Sequence, residues 1–146
     1  MQPKPKACQG CILFQDGMGF TPDEIIPSAR VAILAQAPGA DEEREGRPMV
    51  GTTGQMMDRE YLPLANLTRG VDVSVMNVLK CRWAPGGKRT NDLPPAAILK
   101  PAVAHCTTAH LRIPPEVEVL VCQGALAWEH MGGPKPLSDW RGFVRP

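Results

Sequence analysis

The chain has 146 residues (15.8 kDa), enough for one real core, and 1–146 is read as a single domain. Sixteen Lys and Arg stand against fifteen Asp and Glu, so bulk charge announces no polyanionic partner, and any such contact must come from a local patch. No apolar stretch reaches the length of a membrane span and Met1–Lys6 lacks the apolar core of a signal peptide, so a cytoplasmic protein with no membrane partner is expected.

After a polar, proline-broken leader comes Cys8-x-x-Cys11, then an irregular segment through Pro27 with a predicted helix turn at Pro22-Asp23-Glu24. Val31-Ala32-Ile33-Leu34-Ala35 is short, apolar on both faces and bounded by turn residues, the pattern of a buried parallel strand. It leads into the stretch around which the chain is organised, residues 36–51, rich in Gly, Pro and carboxylates. In open α/β sheets ligands bind beyond the carboxyl ends of the strands, and a loop bent by Pro38, Gly39, Gly46, Pro48 and Gly51 lets backbone approach a ligand. This loop is therefore a candidate active site from its position alone.

A helix is predicted over about 53–67, with Met56, Met57, Tyr61, Leu62 and Leu64 as a core-facing stripe and Pro63 kinking it. Val71–Leu79 reads as a second strand running into Asn77-Val78-Leu79-Lys80-Cys81-Arg82, followed by a basic, glycine-containing loop at 83–92. Pro95 starts a helix over Ala96–Leu111 with Pro101 inside it. Glu116–Cys122 is a third strand, Ala125–Met131 a short helix, and Gly132-Gly133-Pro134 its stop. Alternating strands and helices predict an α/β protein: a three-layer α/β/α sandwich with a central parallel sheet.

Five cysteines without an export signal argue against a disulfide framework. One CxxC (Cys8, Cys11) plus the separated Cys81 and Cys106 suits a tetrahedral zinc or a [4Fe–4S] cluster, and spacing does not separate the two. Cys81 and Cys106 also fit as ordinary buried thiols. Cys122, within an apolar strand, reads as core.

Taken together, Cys8-x-x-Cys11, the loop Ala37-Pro38-Gly39 through Gly46-Arg47-Pro48-x-Val50-Gly51 to Gly54-Gln55, the run Asn77-Val78-x-Lys80-Cys81-Arg82, and Val117–Ala127 with Trp140-Arg141-Gly142 resemble the iron–sulfur branch (family 4) of the uracil-DNA glycosylase superfamily. The resemblance implies the glycosylase fold and hydrolysis of the N-glycosidic bond of uracil in DNA. It implies a structural [4Fe–4S] cluster on Cys8, Cys11, Cys81 and Cys106, with zinc as the lesser alternative. Asn77 would read an extruded uracil through its amide, which offers both donor and acceptor. Gln36, Ala37, Pro38 and Gly39 would line the base pocket, Met49 would pack on the base, and Glu42 would support the charges that develop as the bond breaks. Lys80, Arg82, Lys88 and Arg89 are candidate contacts to DNA phosphates. On the residues alone, Asn77 also reads as a strand-end or turn residue, Glu42 as one of a solvated acidic face, and 83–92 as a solvated loop.

The chain departs from the family in Met49, where the relatives carry a stacking phenylalanine, and in Gln36, where they carry a glutamate. It also ends at Pro146, whereas the family continues into a further strand and a catalytic His-Pro-Ser loop; His105, His110 and His130 lie in no such motif. The 83–92 loop resembles the basic insert of the uracil-crosslinking relatives, but Thr90-Asn91-Asp92 stands where their nucleophilic histidine is found. Two readings follow: a uracil-excising repair enzyme, or a glycosylase-like DNA-binding module within a replication or repair assembly.

Overall fold

The computed structural model describes residues 2–87, 92–142 and 144. Lys88 and Arg89, the proposed phosphate contacts of the basic loop, lie outside the described residues.

The core is a three-stranded parallel sheet of β2 (Val31–Ala35), β3 (Val73–Asn77) and β5 (Val119–Cys122), ordered β3-β2-β5. Val31 registers with both Val73 and Val119, and Ala35 with Asn77, so all three strands end level at one carboxyl edge. The predicted strands are present: β2 fills its apolar run, and β3 and β5 are shorter than theirs. A second, antiparallel pair was not foreseen: β1 (Gly17–Phe20) lies on β4 (Cys81–Trp83). Three-residue β4 gives almost no periodicity to read.

Both faces of the parallel sheet are covered, which makes the three layers. Ile33, Ala35, Val73 and Val75 pack with Met49, Met57 and Leu62 on one side. On the other, Ala32, Leu34, Met76 and Val78 meet Ala127 of α6 (Ala125–His130) and Val103 of α5 (Ala96–His110). Of the helices, α1 (Leu13–Asp16) and α2 (Ala40–Glu45) are short and precede the covering helix.

That helix starts as α3 (Thr52–Met56), widens into a π turn over Met57–Tyr61 and ends as α4 (Leu62–Leu64). The wide turn lies just before Pro63, whose ring lacks an N–H and crowds the carbonyl one turn earlier; widening relieves that crowding. The shifted phase also corrects the predicted stripe. Met57 and Leu62 are core, whereas Met56, Tyr61 and Leu64 are exposed. The predicted helix turn at 22–24 is likewise extended backbone, with Glu24 and Val75 exchanging both backbone hydrogen bonds at 2.9 Å.

Gly54 sits where the loop and α3 cross most closely: a Cβ there would lie 1.7 Å from the Met49 carbonyl oxygen. Gly54→Ala should therefore force the loop off the helix and cost about 3 kcal/mol or more. A thermal melt falling by several degrees checks this; an unchanged midpoint refutes it.

Candidate active site and cysteine cluster

At the carboxyl edge of the parallel sheet lies a pocket between the 36–51 loop and the ends of β3 and β5. Pro38, Glu42, Met49, Thr53, Asn77 and Gln123 are among its lining residues, as are Gln36, Ala37 and Gly39. The structure thus gathers every predicted base-pocket residue around one cavity. It sits where the twist of open α/β sheets leaves a crevice.

Asn77 ends β3 and is 1% exposed. Its backbone is held from both sides: its N–H donates to Asp23 Oδ1 at 3.1 Å, and its carbonyl accepts from Lys80 Nζ. Its side-chain Nδ2 is buried and has no hydrogen-bond partner. A buried amide N–H without a partner is costly and rare in native proteins, which makes this one a candidate binding group.

Glu42 belongs to the loop rather than to a solvated acidic face. Its Oε2 accepts from Gly39 N–H at 2.9 Å, and its Oε1 from Val50 N–H at 2.9 Å and Gly51 N–H at 2.8 Å. One carboxylate so joins the start of α2 to the start of α3, the two rims of the pocket. Asp41, which also lines the pocket, is the second carboxylate there and pairs with Arg44 at 2.8 Å. Met49 takes a positive φ of 53° and is 8% exposed. Arg69 holds it in that conformation, donating to the Met49 carbonyl at 2.7 Å and to the Pro48 carbonyl. The Gln36 side chain turns away to structural work, its Oε1 accepting from Leu126 N–H at 3.0 Å at the start of α6.

Lys80 and Arg82 are corrections to the sequence reading. They are 2% and 5% exposed and are not presented to phosphates. Lys80 Nζ reaches both Asp23 oxygens at 2.6 and 2.7 Å. Arg82 donates to Glu43 Oε2 from Nε at 3.0 Å and from one terminal nitrogen at 2.8 Å. Glu43 in turn accepts from Gly19 N–H at 2.7 Å, anchoring α2 to β1. Desolvation comes first among the influences on Asp23 and holds its carboxyl above the usual range, against the pull of Lys80. Asp23 and Glu43 were missed as site-organising residues. The available signal was chemical: basic residues at the end of a buried strand need buried carboxylates.

Behind the sheet edge, Cys8, Cys11, Cys81 and Cys106 line one pocket together with Leu13 and Phe20. All four are free thiols, and Cys8, Cys81 and Cys106 are buried. Burial pushes the Cys81 thiol up to about 12, with Cys106 adding, and the Cys106 thiol up to about 11 despite the Lys80 N–H. That N–H reaches Cys106 Sγ at 3.3 Å, and His110 Nε2 lies 3.2 Å from Cys8 Sγ. Gly17 leaves the sulfur side open, since a Cβ there would sit 3.1 Å from Cys81 Sγ. Four sulfurs without a carboxylate, in an apolar wall and with N–H groups aimed at them, form a soft donor set suited to zinc or iron–sulfur. Among the described residues, no three His, Cys, Asp or Glu side chains converge tightly enough to chelate a single ion.

With this geometry in view, residues 22–142 match the family model described as the uracil DNA glycosylase superfamily. The chain belongs to this superfamily. Its relatives place it with the type-4 branch. It is 30% identical to a type-4 uracil-DNA glycosylase of Thermotoga maritima across 94% of this chain and 71% of that protein. It is 40% identical to the type-4 enzyme of Pyrobaculum aerophilum over 85 residues, and 36% identical to that of Sulfurisphaera tokodaii over 76. Those two matches cover 58% and 52% of this chain but 41% and 34% of the relatives' lengths. The superfamily fold and the three-layer sandwich agree. Among the described residues no helix is long and apolar enough to cross a membrane.

Two outcomes are expected. Asp23→Ala leaves the Lys80 ammonium buried without its partner, a loss of about 3–5 kcal/mol, read as a lower denaturation midpoint. In metal-free protein at pH 8, Cys81 and Cys106 stay protonated and resist iodoacetamide, while half-buried Cys11 labels first; peptide mass spectrometry reads the order.

Proposed function

We propose that this chain excises uracil from DNA by hydrolysing the N-glycosidic bond. The carrying observation is the unpartnered Asn77 Nδ2, buried at the carboxyl edge of the sheet in a pocket rimmed by the 36–51 loop. Membership of the superfamily and the printed names of the type-4 relatives support the substrate.

A base stacked in a duplex cannot reach this pocket, so the substrate is single-stranded or has its base turned out. Asn77 donates from Nδ2 to a uracil carbonyl oxygen, and Met49 with Pro38 packs against the ring. As the bond between the sugar C1′ and the base nitrogen breaks, negative charge collects on the base and positive charge on the sugar. The Nδ2–H bond to the carbonyl strengthens as that charge grows, which lowers the barrier rather than merely improving binding. Glu42 keeps the two rims in register, and Oε2, with one N–H bond, retains a lone pair for the water that attacks C1′. The water's hydroxyl bonds to C1′, its proton is released, and the base leaves with the bonding pair.

A [4Fe–4S] cluster held by Cys8, Cys11, Cys81 and Cys106 would supply structure, tying the N-terminal segment to β4 and α5. Zinc on the same thiols is the lesser alternative, because the family resemblance implies the cluster. DNA is the partner, with Lys88 and Arg89 as proposed phosphate contacts.

The test is excision from a labelled single-stranded oligonucleotide carrying one uracil, using protein purified without oxygen. Asn77→Ala should lower the single-turnover rate at least about 100-fold while leaving the melting midpoint and the cluster's visible absorbance in place. Absence of excision by the wild-type chain with cluster present refutes the reading.

A further inference from the structure

Lys4 lines the pocket of the four cysteines and stands in Pro3-Lys4-Pro5, where two prolines keep the leader extended. The leader is tied down on both sides of it. Phe20 N–H donates to the Gln2 carbonyl at 3.0 Å, and His105 Nε2 meets the Ala7 carbonyl oxygen at 2.9 Å. From this segment the half-buried Lys4 side chain reaches across to the end of α1. Its Nζ donates to the Leu13 carbonyl at 2.9 Å and to the carbonyls of Phe14 and Gly17. An ammonium has three donors, and here all three meet neutral oxygens. The charge is therefore fixed in position, and those bonds do not neutralise it. Burial pushes the Cys8 and Cys81 thiols up while the Lys4 charge pulls both down, so the ammonium lies within electrostatic reach of both sulfur-bearing segments. Lys80 lines the pocket too, but its ammonium is taken up by both Asp23 oxygens.

Four thiolates carry more negative charge than a zinc ion or an iron–sulfur core brings, so the loaded site is a net anion in an apolar wall. Such a charge is costly to bury unless a cation or N–H groups face it. We propose that Lys4 is the charge-compensating positioning residue of the cysteine site, a tethered cation that holds the thiolates in their metal-binding form. The three carbonyl bonds keep the ammonium at the pocket wall, where an ordinary surface lysine would extend into water. The same bonds tie the leader to the turn at Gly17, the residue that leaves room for Cys81 Sγ. This rests on the reading of the four cysteines as a metal site and is independent of the base pocket and of excision.

The experiment measures how firmly the full chain, purified without oxygen, keeps its metal. Iron, sulfide and zinc are determined on wild type, and transfer to excess o-phenanthroline, a neutral chelator of both metals, is then followed by absorbance. Lys4→Met keeps length and loses the charge, and transfer should be roughly 10-fold faster. Lys4→Gln keeps N–H donors for the carbonyls without the charge and should lose metal as fast as Lys4→Met. Lys4→Arg restores the charge and should stay within about 3-fold of wild type. The glutamine and arginine variants decide the matter if the methionine variant fails to fold. Wild-type rates in Lys4→Gln reveal a neutral clamp and overturn the inference, as do fast rates in Lys4→Arg. A wild-type chain holding neither metal overturns the cysteine site together with it and leaves excision to its own assay.

Discussion

The pocket depends on one buried ion pair. Asp23, on the irregular segment before β2, binds Lys80 Nζ with both oxygens, and the same carboxylate accepts the N–H of Asn77 while Lys80 caps the Asn77 carbonyl. The Lys80 backbone extends the hold in two further directions. Its carbonyl accepts from Thr21 N–H at 2.7 Å and its N–H points at Cys106 Sγ. One residue therefore couples the pocket on one side of the strand end to the cysteines on the other. A buried pair of this kind gives little net stability, because desolvation offsets much of the attraction. What it supplies is orientation: it fixes the backbone from which the Asn77 amide projects.

The same device recurs around the pocket. Glu43 and Arg82 join α2 to the β1–β4 pair, at 5% exposure each. Arg69, paired with Glu24 at 3.0 Å, draws the carbonyls of Pro48 and Met49 inward and fixes the left-handed turn that presents Met49. Glu42 staples the rims with three backbone N–H groups. Apolar packing builds the sandwich, but these polar contacts set the pocket's shape.

This division explains which charges could be assigned from the sequence. Lys80 and Arg82 sit in a basic run and look like phosphate contacts, since most Lys and Arg side chains are exposed. Their partners, Asp23 and Glu43, lie 57 and 39 residues away, and no local pattern announces the pairing. Glu42 and Glu43 are neighbours in one acidic run, yet one serves the pocket rim and the other the β1–β4 pair. A helix places successive residues about 100° apart, so adjacent carboxylates face different neighbours.

The sequence by itself determined the parallel α/β core, through strand-like runs at 31–35, 71–79 and 116–122 alternating with helical patterns, because hydrophobic period is a local property of the chain. It also marked the 36–51 loop, Asn77 and the four cysteines as candidate site residues, since their spacing carries the family resemblance. Tertiary structure decided the rest. It buried Lys80 and Arg82 against distant carboxylates, and turned Met56, Tyr61 and Leu64 outward at a π turn. Each of these depends on which segments meet in space, and register and desolvation appear only once they have met.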